Sequence, residues 1–118
     1  MRNKIECIEQ AYKNDTLNEL DMNRTFMRAY LNSMEAGNEV PDFSDVIWDR
    51  DIDSILGECK KYGIHEITIS STFSGLIETI AKLEEKGCKL EGLVKVKSPY
   101  DDYITGEKRI VPAFKISL

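Results

Sequence analysis

The sequence has few of the residues on which catalytic and metal sites depend. It contains three cysteines with no close pair and one histidine, His65. An odd number of widely spaced cysteines is not a disulfide framework, and without a CxxC pair we expect no zinc site. One histidine excludes nucleophile–histidine machinery unless His65 itself is the base, and we expect His65 on a surface strand. We therefore expect a non-enzymatic protein with no cofactor and no metal, in which Cys7, Cys59 and Cys88 are small buried residues.

Long apolar runs are also absent. No stretch of about 18 apolar residues is present, so no membrane span is expected. The first residues, MRNKIECIEQAY, carry charges throughout and lack the apolar centre of a secretory signal, which predicts a cytoplasmic protein. A length of 118 residues fits one domain over residues 1–118, and 42% hydrophobic residues are enough for a core.

Apolar periodicity predicts three helices in the first part of the chain, residues 1–63. The first covers Lys4–Asn14. Thr16 and Glu19 have the spacing of a capping box, which predicts a second helix that starts there and ends at Gly37, with a break near Asp21–Asn23 as an alternative.

The third helical region follows Pro41. Asp42 or Ser44 would cap a short piece through Trp48, and Asp49 or Asp51 would cap a longer piece that ends at Gly63. The residues expected to face the core recur every three or four positions: Trp48, Ile52, Ile55, Cys59 and Tyr62.

The second part, residues 64–118, has the pattern of a β-α-β-β unit. Strands are predicted at Glu66–Ser70, Leu90–Ser98 and Arg109–Leu118, the last two as an antiparallel hairpin and the first two as a parallel crossover. Pro112 lacks an N–H group, which predicts an edge position or a bulge for the last strand. The helix between the first two strands has this apolar stripe: Phe73, Leu76, Ile77, Ile80 and Leu83. The predicted class is α+β, with a small three-stranded mixed sheet and the helices on one face.

The negative charge is concentrated in one segment. The whole chain has a formal charge of −5, whereas the segment Glu35–Glu58 alone has eight carboxylates against Arg50. Such a patch steers a protein toward a basic partner, and an acidic chain is not expected to bind nucleic acid directly. The predicted partner-binding residues are Asp42, Asp45, Asp49, Asp51 and Asp53. Two alternatives are a solvated helix face and a Mg²⁺ site formed by Asp45, Asp49 and Asp53.

A second candidate site lies in the turn between the first predicted strand and its helix. A helix N-terminus presents free N–H groups that suit an anion, and hydroxyl side chains would add donors. The candidate residues are Ser70, Ser71, Thr72, Ser74 and Gly75. The alternative is that Ser71 or Thr72 is a simple helix cap.

A third surface is basic. The outer face of the sheet is predicted to carry Thr68, Lys95, Lys97, Arg109 and Lys115. This face lacks the stacking aromatic residues that RNA-binding sheets use, which favours a solvated surface.

Several stretches together resemble a family of small uncharacterised Firmicutes proteins, a domain of unknown function associated with plasmids, phages and conjugative elements. The stretches are Leu17–Asp21, Asp42–Asp49, Ile69–Leu76, Ile104–Glu107 and Ile110–Phe114. The resemblance implies a mobile-element accessory protein, a class that includes small acidic inhibitors of host defence nucleases such as anti-CRISPR proteins. The expected function is protein–protein contact that inhibits or modulates a nucleic-acid-binding enzyme, and the alternative is a small-ligand or anion-binding domain.

Overall fold

The structure is a computed structural model that describes residues 4–118, apart from the side chain of Pro99. The first three residues of the predicted helical part therefore lie outside the described residues. Helices and strands make an α+β protein, which confirms the predicted class. The elements in chain order are helix α1 (Glu6–Lys13), a 3₁₀ turn (Leu17–Glu19), α2 (Arg24–Ala36), β1 (Asp42–Phe43), α3 (Asp49–Lys61), β2 (Glu66–Ile69), α4 (Leu76–Glu85), β3 (Lys89–Asp101) and β4 (Lys108–Ser117).

Helix α2 begins later than the capping-box pattern predicts. Thr16 makes no side-chain cap bond, and its segment forms only the 3₁₀ turn before Leu20 becomes extended. The cap is instead Asn23, whose side-chain oxygen accepts from the Phe26 N–H at 2.9 Å. The predicted break is therefore the true start of α2. Gly37 ends the helix with φ of 81°, as predicted.

The segment after Pro41 is a strand, so the prediction that Asp42 or Ser44 caps a short helix is wrong. Asp42 and Phe43 pair in parallel with Thr68 and Ile69 of β2. Helix α3 begins at Asp49, so the prediction that Asp49 or Asp51 is its cap is also wrong. Both residues lie in the first turn, and the preceding Trp48 is extended and makes no side-chain cap bond. A parallel ladder between residues distant in the chain overrides the local preference of Asp and Ser for helix caps.

Within residues 4–118 the sheet has four strands in the order β1-β2-β4-β3, rather than three. The β3–β4 pair is the predicted antiparallel hairpin. Strands β2 and β3 both run antiparallel to β4, so they share one direction as the crossover prediction requires, but β4 lies between them.

Pro112 lies in a central strand rather than at the predicted edge, and no bulge occurs at Pro112, because the register shifts of the β3–β4 pair lie at Leu90/Gly92 and Lys97/Asp101. It stands opposite Lys95 of β3. The last β2–β4 pair is Ile69 with Phe114, so Pro112 lies beyond the end of β2. Its missing N–H group therefore interrupts no ladder on that side.

Strand β2 is covered on both faces. Ile67, Thr68 and Ile69 are all buried, which differs from the half-buried strand that alternation predicts. Ile67 and Ile69 join the main core, in which residues from α1, α2 and α3 also pack. The opposite side of β2 carries Thr68, whose burial depends on a polar partner described below.

Candidate functional site

Asp42 is buried, with only 4% of its surface exposed. Thr68 Oγ1 donates to Asp42 Oδ1 at 2.6 Å, and Ser70 Oγ donates to Asp42 Oδ2 at 2.6 Å. The Asp42 backbone N–H donates to Ser33 Oγ at 2.7 Å. Burial raises the pKa of the Asp42 carboxyl, and the hydrogen bonds from Ser70 and Thr68 oppose that increase. Asp42 therefore joins β1, β2 and α2 in the interior and is no part of the predicted docking surface.

The other four aspartates of the predicted patch lie closer to solvent. Asp45 and Asp49 are exposed. Asp45 is 3.7 Å from the Arg28 guanidinium, and Asp53 is 3.0 Å from the Lys86 ammonium group. Asp51 is half-buried and accepts from the Asn23 side-chain amide at 3.3 Å. The surface carboxylates thus persist as a patch that nearby cations offset in part.

The aspartates do not converge in the way that the magnesium alternative requires. Asp45 precedes α3 instead of lying on it, and it pairs with Arg28, whereas Asp53 pairs with Lys86 beside α4. Within residues 4–118, no three His, Cys, Asp or Glu side chains are grouped to hold a metal ion.

The turn from Ser70 to Gly75 uses several of its hydroxyl groups internally. Ser70 is bound to Asp42, and the buried Ser71 accepts from the Phe73 N–H at 3.2 Å. Thr72 and Ser74 are exposed. Gly75 is the residue before α4, which has no side-chain cap, so the alternative of Ser71 or Thr72 as the cap is wrong.

An aromatic pair lies between the two predicted sites. Trp48 is 52% exposed and Phe73 is 44% exposed, and their ring centroids are 6.1 Å apart in an edge-to-face arrangement. The Arg50 guanidinium lies 5.9 Å from the centre of the Trp48 ring. Asp45 and Asp49 flank Trp48 in the sequence. We call these five residues, Asp45, Trp48, Asp49, Arg50 and Phe73, the Trp48 surface.

A groove runs beside the aromatic pair. It has a volume of about 500 Å³ and separates the residues before and at the start of α3 from those at the start of α4. Asp49 lines one side, and Ser74 and Gly75 line the other. The structure therefore brings parts of the two predicted sites to one place, because the N-terminal ends of α3 and α4 are neighbours.

The Trp48 surface was missed because both aromatic residues have the helical spacing of core residues. Trp48 is exposed because it precedes α3, where the helical periodicity does not apply. Phe73 and Ile77 are also exposed, although the stripe of α4 predicts them in the core. An apolar stripe that begins before its helix would have indicated the exposure of Trp48 and Phe73, but not that of Ile77, which lies in the first turn of α4.

The cysteines offer no reactive pair. Cys59 and Cys88 are buried as predicted, and burial raises the pKa of the Cys59 thiol to about 12, so it stays protonated. Cys7 is exposed, contrary to the prediction, with its sulfur 3.5 Å from the Tyr62 hydroxyl. His65 is exposed immediately before β2.

The basic face predicted for the sheet does not form as one surface. The register pairs Thr68 with Lys115 but Lys95 with Pro112, and Lys115 and Pro112 are three positions apart, so the two groups lie on opposite faces. Thr68 is buried against Asp42, and Lys115 lies 2.7 Å from Glu66. Lys95 and Lys97 are exposed on β3. Among the described residues, no helix is long and apolar enough to cross a membrane.

These observations define an α+β protein with an exposed aromatic and acidic cluster where two helices begin. The chain belongs to the family described as a domain of unknown function (DUF7698), whose model matches residues 25–118. No curated protein matches the chain, and no solved structure matches it.

Proposed function

We propose that the chain is a non-enzymatic protein-binding module whose contact site is the Trp48 surface. The observation that carries this proposal is the half-exposed Trp48 ring, in contact with Phe73 and Arg50. Tryptophan and arginine are the residues that most often dominate the binding energy of protein interfaces. The edge-to-face contact restricts both rings before binding, so less side-chain entropy is lost when a partner covers them.

The charges around the rings favour a basic partner. Asp45 and Asp49 are exposed beside Trp48, and Glu78 lines the adjacent groove. Exposed carboxylates of this kind raise the rate of encounter with a positive surface. A partner segment with a basic residue next to an apolar one would fit the groove, since the groove combines carboxylates with aromatic rings.

The finer form of the proposal concerns the partner and the setting. The family resemblance suggests a mobile-element accessory protein that acts in the cytoplasm. An acidic contact site would match the positive channel in which a host nuclease or another nucleic-acid-binding enzyme holds its substrate. The chain would inhibit or modulate such an enzyme by occupying that channel.

The test is affinity capture from the native host cell with mass spectrometry. Asp45→Lys combined with Asp49→Lys should abolish capture of a nucleic-acid-binding protein that the wild-type chain retains. Asp21→Lys combined with Glu84→Lys is the matched control, because it makes the same charge change at two other exposed positions. If the captured proteins are the same for all three chains, the proposal is wrong.

The second candidate, anion binding at the turn before α4, has less support. Ser70 and Ser71 are already hydrogen-bonded, and Asp49 and Glu78 line the groove next to Ser74. Carboxylates this close repel an anion. A thermal-shift screen with nucleotides and phosphorylated metabolites separates the two candidates: an increase of several degrees at millimolar concentration would favour the anion site, and no increase would dismiss it.

A further inference from the structure

Strand β3 forms one edge of the sheet and the two-residue β1 forms the other, because the strand order begins with β1 and ends with β3. Part of the β3 edge already has a strand-like partner. The Asn38 side-chain amide donates to the Lys97 carbonyl at 2.7 Å, and its oxygen accepts from the Lys97 N–H at 2.8 Å. These two bonds are those that a neighbouring strand would make, so the backbone of Lys97 faces away from β4.

The same geometry sets the direction of the backbone groups further along β3. Alternate residues of a strand point their N–H and C=O groups to the same side. The β3–β4 register is continuous from Gly92 to Lys97, so Lys95 and Leu93 also face away from β4. Leu93 is 70% exposed, and Lys95 is exposed beside it. The edge therefore presents the outward N–H and C=O groups of Leu93 and Lys95. They lie next to those of Lys97, which Asn38 already occupies.

The side chains at this edge combine positive charge with apolar surface. Lys95 and Lys97 lie on one face, since they are two positions apart. Their cross-strand neighbours are Pro112 and Ile110, and Ile110 is 65% exposed. Among the described residues, neither lysine has a carboxylate within ion-pair distance.

The positive charge of Lys95 and Lys97 determines which kind of segment can bind this edge. A second copy of β3 would bring lysines against lysines, and like charges opposite each other destabilise strand pairing. A segment with carboxylates at alternate positions would place them beside both lysines. We propose that the edge of β3 binds an extended acidic segment of a partner protein, which adds a fifth strand to the sheet beside Leu93 and Lys95. This contact uses residues separate from the Trp48 surface and does not depend on it.

The test begins with a display library of ten-residue peptides selected against the full chain. The enriched peptides should have acidic residues at alternate positions and an apolar residue for Leu93. Reversing the charge with Lys95→Glu and Lys97→Glu should weaken their binding at least tenfold. Lys60→Glu combined with Lys61→Glu is the matched control, since these lysines lie at the end of α3.

Backbone pairing is tested by peptide N-methylation. Two versions of the best peptide are methylated at alternate nitrogens, one version for each edge of the extended peptide. One version should lose at least tenfold in affinity and the other should keep it, because only one edge of the peptide bonds to β3. Amide hydrogen exchange at Leu93 and Lys95 should be fast in the free protein and slow in the complex, whereas Val94, which faces β4, should be slow in both.

Three results would overturn the proposal. They are a failure to enrich any peptide, enriched peptides that lack alternate acidic residues, and equal binding of the two methylated versions. Sedimentation that shows a dimer dissociated by Lys95→Glu with Lys97→Glu would also overturn it, because the occupant would then be a second copy of the chain.

Discussion

Asp42 and Asp49 belong to the same acidic stretch of sequence, but the fold places them in opposite environments. Asp42 is buried between two hydroxyl donors, in a strand at the edge of the sheet. Asp49 is exposed at the start of α3, beside Trp48. A carboxylate in the first turn of a helix is favoured by the helix dipole, whereas a buried carboxylate needs hydrogen-bond donors to offset its lost hydration.

The carboxylates of this stretch therefore have two different roles, which a count of charges cannot distinguish. The buried carboxylate holds β1 to β2, and so it positions the segment that carries Asp45 and Trp48. Substitution of the exposed carboxylates should leave the fold unchanged, and these groups are available to a partner. Substitutions at the two kinds of position should therefore affect different measurements.

The largest effect is expected on partner binding, when Trp48 in the Trp48 surface is truncated. Trp48→Ala should weaken binding of the captured partner by about 2–4 kcal/mol, a loss of roughly 30-fold or more in affinity. The reason is that truncation removes the residue expected to dominate the contact. Binding is measured by isothermal titration calorimetry. Tyr100→Ala is the control, since Tyr100 is also exposed but lies on the β3–β4 hairpin. Equal losses for the two variants would contradict a local role for Trp48.

The buried region should show the next largest effect, on stability. Asp42→Ala should lower the free energy of unfolding by about 1–3 kcal/mol, because Thr68 and Ser70 would lose their acceptor. Asp49→Ala should change it by no more than about 0.5 kcal/mol, as exposed positions usually do. Urea unfolding measures both. A larger loss of stability for Asp49→Ala than for Asp42→Ala would contradict the assignment of Asp42 to the fold and Asp49 to the binding surface.

The pH dependence of stability tests the buried environment of Asp42. Burial raises the Asp42 pKa, so the folded protein keeps this proton at pH values where the unfolded chain has lost it. Wild-type stability should therefore fall relative to Asp42→Asn as the pH rises from the ordinary Asp pKa to the raised one, and the difference should then stay constant. Urea unfolding across this range tests the sign.

The smallest effect is expected for the ion pairs that surround the exposed patch. Lys86→Ala removes the 3.0 Å contact with Asp53, but both side chains are exposed to solvent, Asp53 more than Lys86. Exposed pairs contribute from zero to about 1 kcal/mol. Thermal unfolding should show almost no change in Tm. A shift of many degrees would mean that this pair, like Asp42, helps to hold the fold together.

Local patterns predicted most of the elements, and their failures share one cause. The helices and the β3–β4 hairpin were found because their signals lie within a few residues of each other. Strand β1 was missed because its two residues, Asp42 and Phe43, are held by β2, some 26 positions later in the chain. An isolated Asp after a proline has the same local pattern whether it caps a helix or enters a sheet.

The candidate site was predicted in two halves for the same reason. The acidic residues and the turn at Ser74 and Gly75 were found separately, and the contact between Trp48 and Phe73 that joins them spans two helix starts. No periodicity within either segment indicates that α3 and α4 begin side by side. Which carboxylate is buried was likewise beyond prediction, because burial depends on Thr68 and Ser70.

Trp48 is the only tryptophan in the chain, so its fluorescence tests the central claim directly. Acrylamide should quench the half-exposed ring readily in the free protein. Addition of the partner captured by the wild-type chain should shift the emission to shorter wavelength and reduce the quenching, because the partner covers the ring. Tight binding with an unchanged emission spectrum and unchanged quenching would show that the partner docks elsewhere and would contradict the account.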